Sequence, residues 1–199
     1  MDDDLLFIKS NQIQPKRISI TNIFSIFLSS FFSPILLLPI LFSFSFENSE
    51  ITIYFKVTGN DIYIINKEFY KDPSQIIVNG ELRETCKKTC TFEETPNTVV
   101  IKFEDVLEST ENMFKDMTDI LEIDLTNFDF SKVESMASMF YNCKYLQKII
   151  FGNMDTSSVK NMNQLFDGCQ TLTSIDLSKF KTSSVTNMRK LFSNCGSLK

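Results

Sequence analysis

Cys143, Cys169 and Cys195 recur at a spacing of 26, and Cys86 and Cys90 form a C-x3-C pair. These thiols are the residues best suited to chemistry. A thiolate can ligate a metal, two thiols can oxidise to a disulfide, and a buried thiol can simply fill apolar space. The sequence contains no histidine. That removes Ser-His-Asp and Cys-His catalysis, histidine general bases and every histidine-containing zinc site. An enzyme would have to rely on carboxylates and lysines, and no spacing singles out a pair. No catalytic residue, metal site or cofactor is therefore expected.

The two cysteine groups differ in what they can do. Between Cys86 and Cys90 a local disulfide is reasonable in an oxidising compartment if the loop turns the two Cβ atoms towards each other. Zinc there would need two further ligands that the sequence does not offer, and unpaired thiols are the remaining reading. The other three cysteines belong to a repeat. Phe114, Phe140, Phe166 and Phe192 share the spacing of 26, with Met117 standing one unit ahead of Cys143 in the cysteine phase. Ile123/Ile149/Ile175, Val133/Val159/Val185 and Met136/Met162/Met188 keep the same register.

Each unit reads as two elements. In "LTSIDLSKF" the apolar residues Leu172, Ile175, Leu177 and Phe180 contain a short period-two strand centred on Ile175 and Leu177. In "TSSVTNMRKLF" Val185, Met188, Leu191 and Phe192 fall on one face of a short helix, with Thr182, Ser183 and Ser184 as candidate caps. One such unit cannot bury its apolar side alone, whereas stacked copies can. The expected fold is an α/β leucine-rich-repeat-type solenoid with one short strand plus one short helix per 26-residue unit. Equivalent residues on neighbouring coils would lie about 4.8 Å apart and point the same way. A disulfide needs Cβ atoms about 3.8 Å apart and facing, so Cys143, Cys169 and Cys195 read as a buried ladder.

At this point the residues resemble a known family. "MFYNCKYLQKIIFGNMDTSSVKNM" and "LFDGCQTLTSIDLSKFKTSSVTNM" are similar to the 26-residue repeat of BspA-like leucine-rich-repeat surface proteins. The resemblance covers about 113–199, and more weakly the lead-in before it. It implies a surface-exposed, membrane-associated binding protein, with adhesion as the associated role. It implies no catalytic residue. Phe130, Met154 and Lys181 depart from the family's usual Thr, Phe and Asp without breaking the apolar pattern.

Residues 18–46 carry no charge, are preceded by Lys9, Lys16 and Arg17, and are followed by Glu47 and Glu50. This N-terminal hydrophobic helix is expected either to stay as a transmembrane signal-anchor or to be a signal peptide cleaved after Ser45. The positive-inside rule places residues 1–17 as a short cytosolic leader and the rest outside. Residues 47–112 read as a small β-rich domain: "ITIYFKV", "DIYIIN", an Asn79-Gly80 hairpin and "TVVIKF" supply four or five antiparallel strands. Residues 113–199 hold the repeats, incomplete at the C-terminus. A truncated product or an edge covered by a partner or second copy is expected there.

The net charge of −5 gives no footprint for nucleic acid. The expected function is noncovalent, adhesion-type recognition of a protein or glycan at the cell surface or plasma membrane, or as a secreted chain if the signal is cleaved. A structural, self-associating surface protein is the alternative. Ligand contacts would come from residues flanking the inward positions of the strands: Glu122, Asp124 and Thr126; Lys148 and Ile150; Ser174, Asp176 and Ser178. Asp124 and Asp176, with Ile150 between their phases, are too few carboxylates to fill a calcium shell.

Overall fold

Strict alternation in "SEITIYF" and "NTVVIKF" decides the centre of the molecule. In a strand it sends every second side chain to one face, so Ser49, Ile51, Ile53 and Phe55 are buried opposite Asn97, Val99, Ile101 and Phe103. The computed structural model describes residues 49–199. Eight strands run through it: β1 (Ser49–Phe55), β2 (Gly59–Tyr63), β3 (Gln75–Val78), β4 (Glu81–Leu82), β5 (Thr89–Phe92), β6 (Asn97–Phe103), β7 (Ile120–Asp124) and β8 (Lys148–Ile150).

Six of them form one sheet in the order β4-β3-β6-β1-β7-β8, and β2 pairs β5 in a second. Asn79 and Gly80, both at positive φ, make the two-residue turn joining β3 to β4. That is the conformation such hairpins require and Asn-Gly tolerates. The small sheet packs against the inner face of the large one, with the Phe92 ring 5.4 Å from Phe55. Each fully buried Ile or Phe contributes roughly 1.5–3 kcal/mol of transfer free energy, so this inner face is the cohesive part of the lead-in. β7, the first strand of the repeat region, lies antiparallel to β1 on one side and parallel to β8 on the other. The sheet therefore continues without a break from lead-in to repeats.

The expected α/β leucine-rich-repeat-type solenoid is overturned: among the described residues there is no helix, and the architecture is β-rich. Where a helix was expected in each unit, the chain makes consecutive tight turns. Left-handed residues recur every four positions, at Asn112 and Asp116, Ser138 and Asn142, Gln164 and Gly168, and Lys190 and Asn194. A helix cannot pass through such residues. The third unit also lacks the strand expected around Ile175 and Leu177. Ser174 and Asp176 are weak strand formers, and among the described residues β8 pairs with β7 alone.

The transmembrane expectation is corrected in the same way. Among the described residues no helix is long and apolar enough to cross a membrane. The leader at 1–17 and the span expected at 18–46 lie outside the described residues.

The turns are joined across units by an alternating use of backbone N–H groups. In the first unit the N–H groups of Met113, Lys115 and Met117 donate back three residues, closing turns. Those of Thr110, Asn112, Phe114 and Asp116 donate to the carbonyls of Ser135, Ala137, Met139 and Tyr141 at 2.8–3.0 Å. The second unit repeats this towards Asn161, Asn163, Leu165 and Asp167, and the third towards Asn187, Arg189, Leu191 and Ser193. From unit to unit the phenylalanine rings stack: Phe114 on Phe140 at 5.8 Å, Phe140 on Phe166 at 5.7 Å, and Phe166 on Phe192 at 5.4 Å.

Candidate binding face

The outward positions of the six-stranded sheet line up through the strand register. Leu82 faces Ile77, Ile77 faces Val100, Val100 faces Thr52, Thr52 faces Asp124, and Asp124 faces Ile150. One row thus crosses all six strands, and it is mostly apolar. Beside it run Thr98, Tyr54, Glu122 and Lys148, again in direct register. Tyr54 is 39% exposed and Leu82 56%, whereas the inward Ile51, Ile53 and Phe55 of β1 are at 0–1%. Ion pairs flank the apolar row: Lys148 to Glu122 at 3.3 Å and Lys102 to Glu50 at 3.1 Å. Tyr54 and Glu122 also line a hollow of about 480 Å³ with Pro96, Lys56 and Leu121.

The sequence-derived contact residues divide over this geometry. Glu122, Asp124, Lys148 and Ile150 stand together on the outward face. Thr126 is exposed just beyond the end of β7. Ser174, Asp176 and Ser178 are exposed in the strandless third unit and share no ladder with Ile150. The two aspartates have local work. Asp124 accepts the N–H of Thr126 at 2.8 Å, and Asp176 accepts the N–H of Ser178 at 2.8 Å. Each closes an Asx turn, and the Ser178 backbone bond is the main reason the Asp176 carboxyl lies below its ordinary pKa. Among the described residues no three Cys, Asp or Glu side chains converge as a metal site.

The cysteine ladder has an orientation the spacing alone did not disclose. Cys143 donates its S–H to the carbonyl of Phe114 at 3.0 Å, Cys169 to Phe140 at 3.2 Å, and Cys195 to Phe166 at 3.0 Å. Each thiol therefore reaches back one unit, to the residue carrying the stacked ring. Burial pushes Cys169 up to about 12 and Cys143 well above the ordinary thiol range. These groups stay protonated and are poor nucleophiles. Cys86 and Cys90, by contrast, are joined as a disulfide with Cα atoms 5.0 Å apart, on the wall of an open cavity of about 490 Å³.

The phrase holding the ring and the thiol is thus a structural signature, reproduced rung by rung. Residues 108–199 match the family described as Mycoplasma protein of unknown function, DUF285. No curated protein and no solved structure matches the chain.

The DUF285 match begins at Glu108, so the strands supplying Tyr54, Thr52, Val100, Ile77 and Leu82 lie ahead of it. These five outward residues escaped the sequence reading, which looked for contacts in the repeats alone. The signal was present in the alternation of "ITIYFKV" and "TVVIKF", whose second set of residues had to point somewhere. Between repeat units, exposed ion pairs keep the same phase as the rings: Lys148 with Glu122, Lys160 with Glu134 at 2.8 Å, and Lys181 with Asp155 at 3.0 Å. A slip of one residue would break all three, so they reinforce register more than they add stability.

Proposed function

We propose that the chain is a noncovalent recognition protein of the cell surface, related in its repeats to the BspA-like surface proteins, and that its outward sheet face binds a protein partner. The observation that carries this reading is the row Leu82–Ile77–Val100–Thr52–Asp124–Ile150, apolar through most of its length and bordered by ion pairs. An apolar centre with a charged rim is the usual anatomy of a protein–protein interface, and Tyr54 is the aromatic anchor such surfaces favour. The Cys86–Cys90 disulfide supports an oxidising, extracytosolic setting. The absence of histidine from the whole sequence supports binding over catalysis.

The test has two arms. Membrane-impermeant biotin applied to intact cells should label the chain's exposed lysines; labelling only after lysis refutes the surface assignment. Fluorescent purified chain should bind cells through a protease-sensitive component. Tyr54→Ala and Leu82→Asp should each reduce that binding by about tenfold or more, the scale of an interface hot spot. Binding abolished by glycosidases and unaffected by proteases refutes the protein partner.

A further inference from the structure

Asn66 ties the lead-in to the first repeat unit, and a cleft opens beside it. The Asn66 backbone N–H donates to Met113 O at 2.8 Å, and its Nδ2 donates to Lys115 O at 2.8 Å. Its Oδ1 accepts the N–H of Glu68 at 2.8 Å. One residue thus fixes the loop after β2 and the first rung together, so both walls of the cleft are held in place. The cleft has a volume of about 540 Å³, within the range of small-ligand sites. It shares no residue with the hollow beside Tyr54 or with the outward rows of the sheet.

The charged lining sets opposite signs side by side. Lys67 and Glu68 stand on the lead-in wall, and Lys115, Asp116 and Asp119 on the repeat wall. Among the described residues none of these five is in an ion pair. Two of them are nevertheless oriented: Asp116 Oδ1 accepts Asn142 Nδ2 at 2.8 Å, and the Lys115 ammonium lies 5.8 Å from the Tyr141 ring centroid. Tyr63, at the end of β2, adds an aromatic ring that is 47% exposed. A simple anion or cation would meet its own sign on both walls. A zwitterion needs its two charges answered at opposite ends, whereas here each wall carries both signs. A neutral polyol meets neither objection, because every hydroxyl can donate to a carboxylate and accept from an ammonium. The Tyr63 ring offers apolar surface to the C–H face of a sugar ring.

We propose that this cleft binds a neutral saccharide, with one pyranose ring lying on Tyr63 and its hydroxyls bridging the Lys67–Glu68 wall to Lys115, Asp116 and Asp119. Tyr63 supplies the stacking surface and the five charged groups supply the hydrogen bonds. Asn66 is a positioning residue that keeps the two walls at a fixed separation. The site is independent of the sheet face: a protein partner there and a sugar here stand or fail separately, because the residues differ and the probe is a free sugar, not a cell.

The test titrates the full chain with the methyl pyranosides of glucose, galactose, mannose and N-acetylglucosamine, and in parallel with phosphocholine and inorganic phosphate, each read by amide NMR shifts. At least one pyranoside should move the Tyr63, Glu68, Lys115 and Asp119 amides saturably. Tyr63→Ala should weaken that sugar by about tenfold and Tyr63→Phe by no more than about twofold. Asp119→Ala should weaken it by about fivefold or more. Tyr145→Ala removes a comparably exposed ring outside the cleft and should change nothing. If Tyr63→Ala disturbs β2, seen at its ladder partner Thr89, the exposed Asp119→Ala reads the same site. Four results would overturn the proposal: no saturable shift with any pyranoside, or shifts confined to residues outside the cleft; tighter binding of phosphocholine or phosphate than of every pyranoside; full sugar binding by Tyr63→Ala and Asp119→Ala; or equal weakening by Tyr145→Ala.

Discussion

Cys169 can be made to report whether its place in the ladder is set by apolarity alone or also by its S–H donor. The side chain is fully buried and lies 3.2 Å from Phe140 O. Cys169→Ala removes a buried sulfur, costing about 1–2 kcal/mol in transfer and cavity terms. It also removes a weak hydrogen bond of at most about 1 kcal/mol. Phe140 O keeps the N–H of Cys143 at 3.2 Å, so it is not left bare. The expected loss is about 2 kcal/mol in urea denaturation at pH 7. Cys169→Ser keeps a donor of similar size within reach of the same carbonyl, so it should cost no more than the alanine variant. If serine is worse than alanine by more than about 1 kcal/mol, the donor account is wrong and the slot is purely apolar.

The same residue gives an independent signature in alkali. Burial raises the folded Cys169 thiol from 9.0 to about 12. Above pH 9 the unfolded chain releases this proton and the folded chain holds it, so stability falls as pH rises through that interval. A full separation of the two states corresponds to about 1.4 kcal/mol per pH unit. Cys143, shifted in the same direction by burial, steepens the slope. Between pH 8 and pH 10 the wild-type chain should lose about 1.4 kcal/mol more than Cys169→Ala. Parallel pH profiles for the two proteins would refute the burial argument.

Gly152→Ala should destabilise by about 2–3 kcal/mol, since Gly152 sits at φ +60 and an added Cβ would meet the Thr126 Cα at 2.7 Å; a loss under about 0.5 kcal/mol in denaturation would contradict that close approach. Asn66→Ala should cost about 1–2 kcal/mol by stripping Lys115 O of its donor. Asn66→Asp should cost more, because it sets an acceptor against that carbonyl, and the reverse ranking would exclude Asn66 Nδ2 as the donor to Lys115 O. The Asp155 carboxyl should titrate near about 2 by NMR, held down by the Lys181 ammonium first and by Ser157 second. The stability it contributes is present above the ordinary 3.8 and lost as pH falls through about 2; Lys181→Met should move the titration upward, and an unmoved midpoint would exclude Lys181 as the main cause.

What could be read in the sequence follows from which signals are local. The 26-residue phase was legible because Phe, Cys, Met and Val must each return to the same buried slot. The second element of the unit was misread because two structures share one pattern. Met136, Met139, Phe140 and Cys143 are buried at i, i+3, i+4 and i+7, as on a helix face, yet the chain there is a run of turns. The deciding feature is backbone handedness. Asn112, Asn142, Gly168 and Asn194 are residues that favour the left-handed region, but Ser138, Gln164 and Lys190 occupy it with no compositional hint. Asp124 and Asp176 were read as outward groups free for a ligand; their two-residue reach to Thr126 and Ser178 shows turn closure, an equally local use of the same carboxylate.

The alternation of N–H groups explains why these turns are stacked and not wound into a helix. A helix satisfies each N–H within its own segment, so a second unit alongside it adds only side-chain packing. Here every second N–H closes a turn and the others cross to the next unit, so one unit alone leaves half of these donors unpaired. Burying such donors without acceptors is costly, which makes the unit dependent on its neighbour through backbone as well as core. Because the crossing bonds share one direction, the first end of the stack presents carbonyls, those of Met113 and Lys115 among them. Asn66, with a backbone and a side-chain donor, answers the first end.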